Sequence, residues 1–182
     1  MPIYRAAIKT DTAKTVAALK HEWFNTPAID GKEICLQALS QVTDPDIIKN
    51  TLLPFLFNIS PPVSPTDAVP GADMHILAGG MAGNRVARPL LWAYLRDNWS
   101  HFTAKLAGNP ILLDRMIMVS LPKFADLATL EEIERFFAQP DVDTKAFDRT
   151  LGTVLDKIRG RAAYKARDAQ TVKAWLVENG YA

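Results

Sequence analysis

Cysteine is almost absent: Cys35 is the only one in 182 residues, so no internal disulfide can form. A lone cysteine fits a reducing compartment, and the expectation is a cytoplasmic protein. Cys35 falls within an apolar helical pattern, so it reads as a buried thiol rather than a reactive one. No apolar run reaches the ~18 residues that a membrane-spanning helix needs. The opening Met1-Pro2-Ile3-Tyr4-Arg5 has neither a secretory core nor a cleavage signal, so the glycosylation-like tripeptides at Asn58 and Asn98 carry no weight. Charge of one sign is also missing. Lysines and arginines number 21 against 20 acids, a net +1 that gives no reason to expect nucleic acid or an anionic membrane as partner. Histidine is scarce as well: His21, His75 and His101 are the full set. Residues 21–25 read His-Glu-Trp-Phe-Asn, half of a zinc signature with Asn25 where the second imidazole is required, so neither metal nor cofactor is expected. No G-x-S-x-G elbow, phosphate-binding glycine loop or C-x-x-C pair occurs.

Helical periodicity is what the chain has in abundance. From Val86 onward Trp92, Leu95, Trp99, Phe102 and Leu106 fall three or four apart and share one face. Gly83-Asn84 precedes the stretch, Pro89 is tolerable near a first turn, and Gly108-Asn109-Pro110 closes it, predicting one helix of about 20 residues around which the others pack. Before it, Thr10-Asp11 supplies a cap for a helix carrying Val16, Leu19 and Trp23, and a third helix begins near Asp30. Asp44 caps a fourth with Pro45 at its first position, and Pro54 is expected to kink that helix. Asn58 to Pro70 is a proline-rich connector. Asp73 to Met81 is a helix whose Gly79-Gly80 would let another backbone approach closely. Later helices are predicted over Ile111–Ser120, over Thr129–Ala138 with Thr129 and Glu132 as a capping box, from Asp143 or Thr144 through Ile158, and after a cap at Asp168. Trp175 and Leu176 read as finishing the C-terminal end. No segment shows strand alternation. The fold class is therefore all-α, an irregular α-solenoid of HEAT-like antiparallel helix pairs, with residues 1–182 as a single domain and the proline-rich loop at 58–70.

Chemistry is thin. Asp73 and His75 flank a loop-to-helix junction and have the residue types of an acid/base pair, though a helix cap and a surface imidazole are the plainer reading. His101 and Asp97 have the spacing of a surface ion pair. Lys157, Arg159, Arg161, Lys165 and Arg167 read as a solvated helix face. Arg85 and Arg88 open the central helix, where positive charge opposes the macrodipole. They are candidates for binding a carboxylate or pairing with Asp73.

Taken together, several pieces resemble the C-terminal helical domain of zinc-dependent M1 aminopeptidases, particularly fungal cytosolic ones. They are I-Y-R-A-A-I-K at 3–9, I-D-G-K-E-I-C-L-Q-A-L at 29–39, D-P-D-I-I-K at 44–49 and V-P-G-A-D-M-H-I-L at 69–77. G-N-R-V-A-R-P-L-L-W-A-Y-L-R-D-N-W at 83–99, F-D-R-T-L at 147–151 and I-R-G-R-A-A-Y-K-A-R-D at 158–168 continue the series. The resemblance implies a superhelix that closes over the active site of a separate zinc domain and lines peptide-binding space. It also implies that catalysis resides elsewhere, since the family's H-E-x-x-H and G-x-M-E-N motifs do not occur in this chain. Where relatives often carry V-R-x-Q-D, Val69 and Asp73 are kept but Pro70 replaces the arginine.

The expected role is binding, of a peptide, a small metabolite or a protein such as an aminopeptidase catalytic domain. Asp73, His75, Arg85, Arg88, Trp92 and Tyr94 are the expected lining. Two alternatives stand beside it: a metal-free enzyme using Asp73, His75 and Tyr94, and a regulatory subunit complementing an aminopeptidase. Apolar surface around Ile3, Tyr4 and Ile8 is expected at the N-terminal end, inviting a partner or a homodimer.

Overall fold

A computed structural model describes residues 2–10, 12–57 and 68–181. Among them every regular element is a helix, as the periodicity predicts. The chain forms two compact units, residues 1–120 and residues 121–182. No helix among the described residues is long and apolar enough to cross a membrane. Thr10 closes α1, and the expected cap at Asp11 and most of the proline-rich connector lie outside the described residues.

The first unit holds α1 (Pro2–Thr10), α2 (Thr12–Asn25), α3 (Ile29–Leu39), α4 (Pro45–Ile47), α5 (Leu53–Phe57), α6 (Met74–Gly83), α7 (Ala87–Asp97), α8 (Trp99–Leu106) and α9 (Pro110–Ser120). Neighbours in sequence pair, α2 with α3, α6 with α7 and α8 with α9. Across the pairs, α3 lies against α6 and α6 against α9, so alternate helices form a row. That pattern is compatible with the expected solenoid of helix pairs. Leu36, Leu39, Phe57, Leu77, Met81, Leu95 and Phe102 are fully buried between the pairs. Asp44 caps α4 as expected, accepting from the amides of Asp46 at 2.9 Å and Ile47 at 3.1 Å. Pro54 leaves its mark one turn earlier, where Ile48–Leu52 winds as a π-helix and the Leu53 amide reaches back to the Ile48 carbonyl. A proline has no N–H to give and its ring crowds the carbonyl four residues back, so the wider turn relieves both problems.

The expected long helix is instead two, α7 and α8, broken at Asn98, whose φ of −120° and ψ of 28° are not helical. Its backbone N–H still bonds the Tyr94 carbonyl at 3.1 Å, and its side-chain amide folds back onto the same carbonyl at 2.8 Å. Trp92, Leu95, Phe102 and Leu106 still share the buried stripe, while Trp99 is left half-buried. The N-terminal end differs too. Ile3 is 80% exposed, but Ile8 is buried beneath α1 rather than offered to a partner.

Lys105 of α8 ties the ends of the proline-rich connector together. Its ammonium donates to the carbonyls of Leu56, Phe57 and Val69 at 3.2–3.4 Å, and burial pushes its pKa down. Two of these acceptors are the last carbonyls of α5, where positive charge also complements the helix dipole. Lys105→Glu should lower stability in urea titration by about 1–3 kcal/mol, because a carboxylate would face three acceptors. Lys105→Met should be nearly neutral, since losing a desolvated charge offsets the lost bonds.

The second unit holds α10 (Leu127–Phe137) and α11 (Asp148–Glu178). The cap of α10 is Asp126, accepting from the Thr129 amide at 2.8 Å, rather than Thr129 itself. The expected start at Asp143 is a turn, and α11 begins at Asp148. It then runs unbroken for 31 residues, so Asp168 does not cap a separate helix. The Asp168 carboxylate is taken by Arg167 at 2.6 Å, and the surrounding alanines favour helix continuation. Arg159 pairs with Glu134 at 2.8 Å and Asp156 at 2.6 Å, in keeping with the solvated-face reading. The helix is closed at Gly180, whose φ of +73° suits glycine, with the Tyr181 amide bonded to the Leu176 carbonyl at 2.9 Å. Trp175 does not close a core there. It is 55% exposed and stacks on Tyr181, the rings 5.9 Å apart.

Candidate functional site

Gly79 and Gly80 set the geometry of the first unit's helix row. A Cβ on Gly80 would sit 2.1 Å from Ser40 Oγ and 2.4 Å from Ser40 Cβ, so only glycine permits this crossing of α6 with the end of α3. A Cβ on Gly79 would meet the Val119 side chain of α9 at 3.5 Å. An open hollow of about 450 Å³ lies along α3 and α6, lined by Glu33, Gln37, Ser40, Gln41, His75, Ile76 and the glycine pair.

Hydrogen bonding fixes the chemistry of that lining. Ser40 is 1% exposed; its hydroxyl donates to the Gln37 carbonyl at 2.7 Å and accepts from Gln41 Nε2 at 3.0 Å. His75 Nδ1 lies 2.8 Å from the Ala72 carbonyl, which can only accept, so this nitrogen carries the proton. With Nδ1 protonated, a neutral ring would present Nε2 as an acceptor. No lysine or arginine is among the described residues that line the hollow. Asn84 braces its far end, donating to the carbonyls of Ser40 at 3.1 Å and Val42 at 2.7 Å while accepting from the amides of Val86 and Ala87.

Of the six residues expected to line a site, His75 alone lines this hollow. Asp73 holds the cap position of α6, but its carboxylate makes no capping bond. Arg85 is exposed, and Arg88 Nε donates to the Ala82 carbonyl at 2.7 Å. Trp92 is 4% exposed and serves the core. Tyr94 packs on Phe57, rings 5.2 Å apart, and burial raises its hydroxyl pKa. Asp97 pairs with Arg96 at 2.9 Å. Glu33, Gln37 and Gln41 escaped the sequence reading, although their four-residue spacing marks one polar face of α3 and the turn after it.

A second hollow, of about 290 Å³, lies among α1, α2 and α3, lined by Ile3, Tyr4, Glu22, Gly31, Ile34 and Cys35. Cys35 is 1% exposed, and desolvation, with the Glu22 charge adding to it, raises its thiol pKa. A thiol so placed is protonated and inert, as expected from the pattern around it. Among the described residues no group of three or more metal-ligating side chains occurs.

Comparison with known proteins settles the descent of this helical array. The family described as "ERAP1-like C-terminal domain" matches residues 1–160. The chain belongs to that family. Its relatives include "Aminopeptidase 2, mitochondrial" of Saccharomyces cerevisiae, 28% identical over 84% of this chain and 15% of the relative. "Aminopeptidase 2" of Candida albicans is 25% identical over 98% of this chain and 18% of its own length. "Alanine/arginine aminopeptidase" of S. cerevisiae is 27% identical over 86% and 17% respectively. The chain thus spans less than a fifth of the curated relatives it matches. The M1 aminopeptidase C-terminal domain suggested by the motifs is the family found, and its fungal members cover most of the chain.

Proposed function

We propose that this chain is a non-catalytic helical domain that holds peptide for an aminopeptidase. The carrying observation is the polar hollow along α3 and α6, with two carboxamides, an imidazole and a carboxylate above a glycine floor. Carboxamides offer a donor and an acceptor together, which is what a peptide group presents. Gly79 and Gly80 keep side chains away, so an extended chain can lie close to α6. The family's aminopeptidase members supply the class of ligand. The cytoplasmic setting proposed from cysteine usage suits a domain whose one thiol is buried.

Titration of the ¹⁵N-labelled chain with uncharged nine-residue peptides tests this reading. Shifts should gather at Ser40, His75, Gly79 and Gly80 and saturate with a Kd of about 0.1–1 mM, the weak range expected of an open site with few contacts. His75→Ala should weaken binding about threefold, the loss of one modest hydrogen bond. Peptides that move no resonance in the hollow would refute the proposal.

A further inference from the structure

The hollow along α3 and α6 is not evenly balanced between donors and acceptors. The Ser40 proton is committed to the Gln37 carbonyl, so its hydroxyl has none to offer a ligand. Gln41 spends one amide hydrogen on Ser40 Oγ and keeps its carbonyl oxygen. Nδ1 of His75 donates to the Ala72 carbonyl, so in the neutral ring Nε2 is an acceptor. Glu33, exposed on α3, adds a carboxylate that can only accept. It is the one lining side chain with a permanent charge. The Gln37 carboxamide and the remaining Gln41 N–H add donors, but acceptor atoms outnumber them among the described lining residues, and the only fixed charge among those residues is negative.

From this inventory we infer that the hollow selects a donor-only organic cation, and that the guanidinium of an arginine side chain is the group it fits. Guanidinium carries five N–H donors in a plane and no acceptor, so it leaves no lone pair opposed to those of the lining. Its planar spread suits acceptors divided between α3 and α6 better than a compact ammonium does. A free carboxylate would meet Glu33 and the His75 lone pair and be repelled. The inference rests on the peptide-holding reading and adds to it a preferred residue in the peptide.

Two short peptides test it, acetyl-Ala-Arg-Ala-amide and the same peptide with citrulline. Citrulline keeps the length and planarity of arginine but is neutral and exposes an acceptor oxygen. The arginine peptide should bind about tenfold tighter, as expected for one charge-assisted contact at a partly open site. Glu33→Gln changes one exposed group and should bring the arginine peptide down to the citrulline value. Equal affinity of the two peptides at the hollow would overturn the cation preference and leave the peptide-holding reading standing. An arginine preference that Glu33→Gln does not alter would remove the hollow as its source. Failure of both peptides to shift hollow resonances would overturn the preference together with the reading beneath it.

Discussion

Gly80→Ala should destabilise the first unit by about 2–4 kcal/mol, despite a helix-propensity gain of about 1 kcal/mol for replacing an internal glycine. The added Cβ would lie 2.1 Å from Ser40 Oγ and 2.4 Å from Ser40 Cβ, and rotating the serine relieves only the first contact. The two helices must separate, loosening Leu36, Leu39, Leu77 and Met81, all fully buried nearby. Denaturant midpoints read the loss. A second substitution identifies its cause: Ser40→Gly should restore most of the stability of the Gly80→Ala protein, whereas Ser40→Ala, which keeps the obstructing Cβ, should not. Equal rescue by both would assign the clash to the hydroxyl alone. The same pair also reports on the hollow, because helices pushed apart would widen its floor and weaken peptide binding.

Asn84→Ala should cost about 2–4 kcal/mol, since four backbone groups lose their partner at about 0.5–1.5 kcal/mol each and half-exposure lets water replace part of the loss. The two halves of this residue do separate jobs. Its oxygen accepts from the amides of Val86 at 3.0 Å and Ala87 at 3.3 Å and so caps α7. Its nitrogen holds the carbonyls of Ser40 and Val42, more than 40 residues away in sequence. Asn84→Ser keeps a capping oxygen but cannot span to the distant carbonyls. It should recover about half of the stability lost in Asn84→Ala, a value that divides capping from bracing. Full recovery would mean that the long-range bonds contribute nothing.

These two positions show what could be read in the chain and what needed its folded neighbours. Gly79-Gly80 announced a close approach, but Ser40 as the partner is visible only once α3 meets α6. The burial of Trp92, Leu95, Phe102 and Leu106 followed from spacing alone, because a stripe that size has to find a core. Trp92 and Tyr94 are also expected to line a site, but Trp92 is buried in that core and Tyr94 packs on Phe57. Asn98 and Asp168 are instructive together. Both have side chains that compete for backbone partners, yet Asn98 interrupts a helix and Asp168 does not. Asn98 turns back to the Tyr94 carbonyl, while Arg167 occupies the Asp168 carboxylate; both partners are close in sequence, but residue type and spacing do not choose between them. The hollow was half legible. His75 stood out as a histidine at a helix start, whereas Glu33, Gln37 and Gln41 became site residues only when α3 was seen to line the hollow with α6.

Helix α11 leads to one more conclusion. Its last buried residue is Ala162, and Tyr164, Val172, Trp175 and Val177 beyond it are each more than half exposed. An isolated helix of fewer than about 15 residues is marginal in water, and the outer part of α11 is scarcely longer. What sustains it is local: the Arg167 guanidinium over the Tyr164 ring at 5.3 Å, the alanines, and the closing turn at Gly180. Residues up to Ala162 share the all-or-none melting of their unit, while those beyond follow the gradual statistics of a helix–coil equilibrium. The cooperative boundary of this protein thus falls inside one continuous helix and not in a loop.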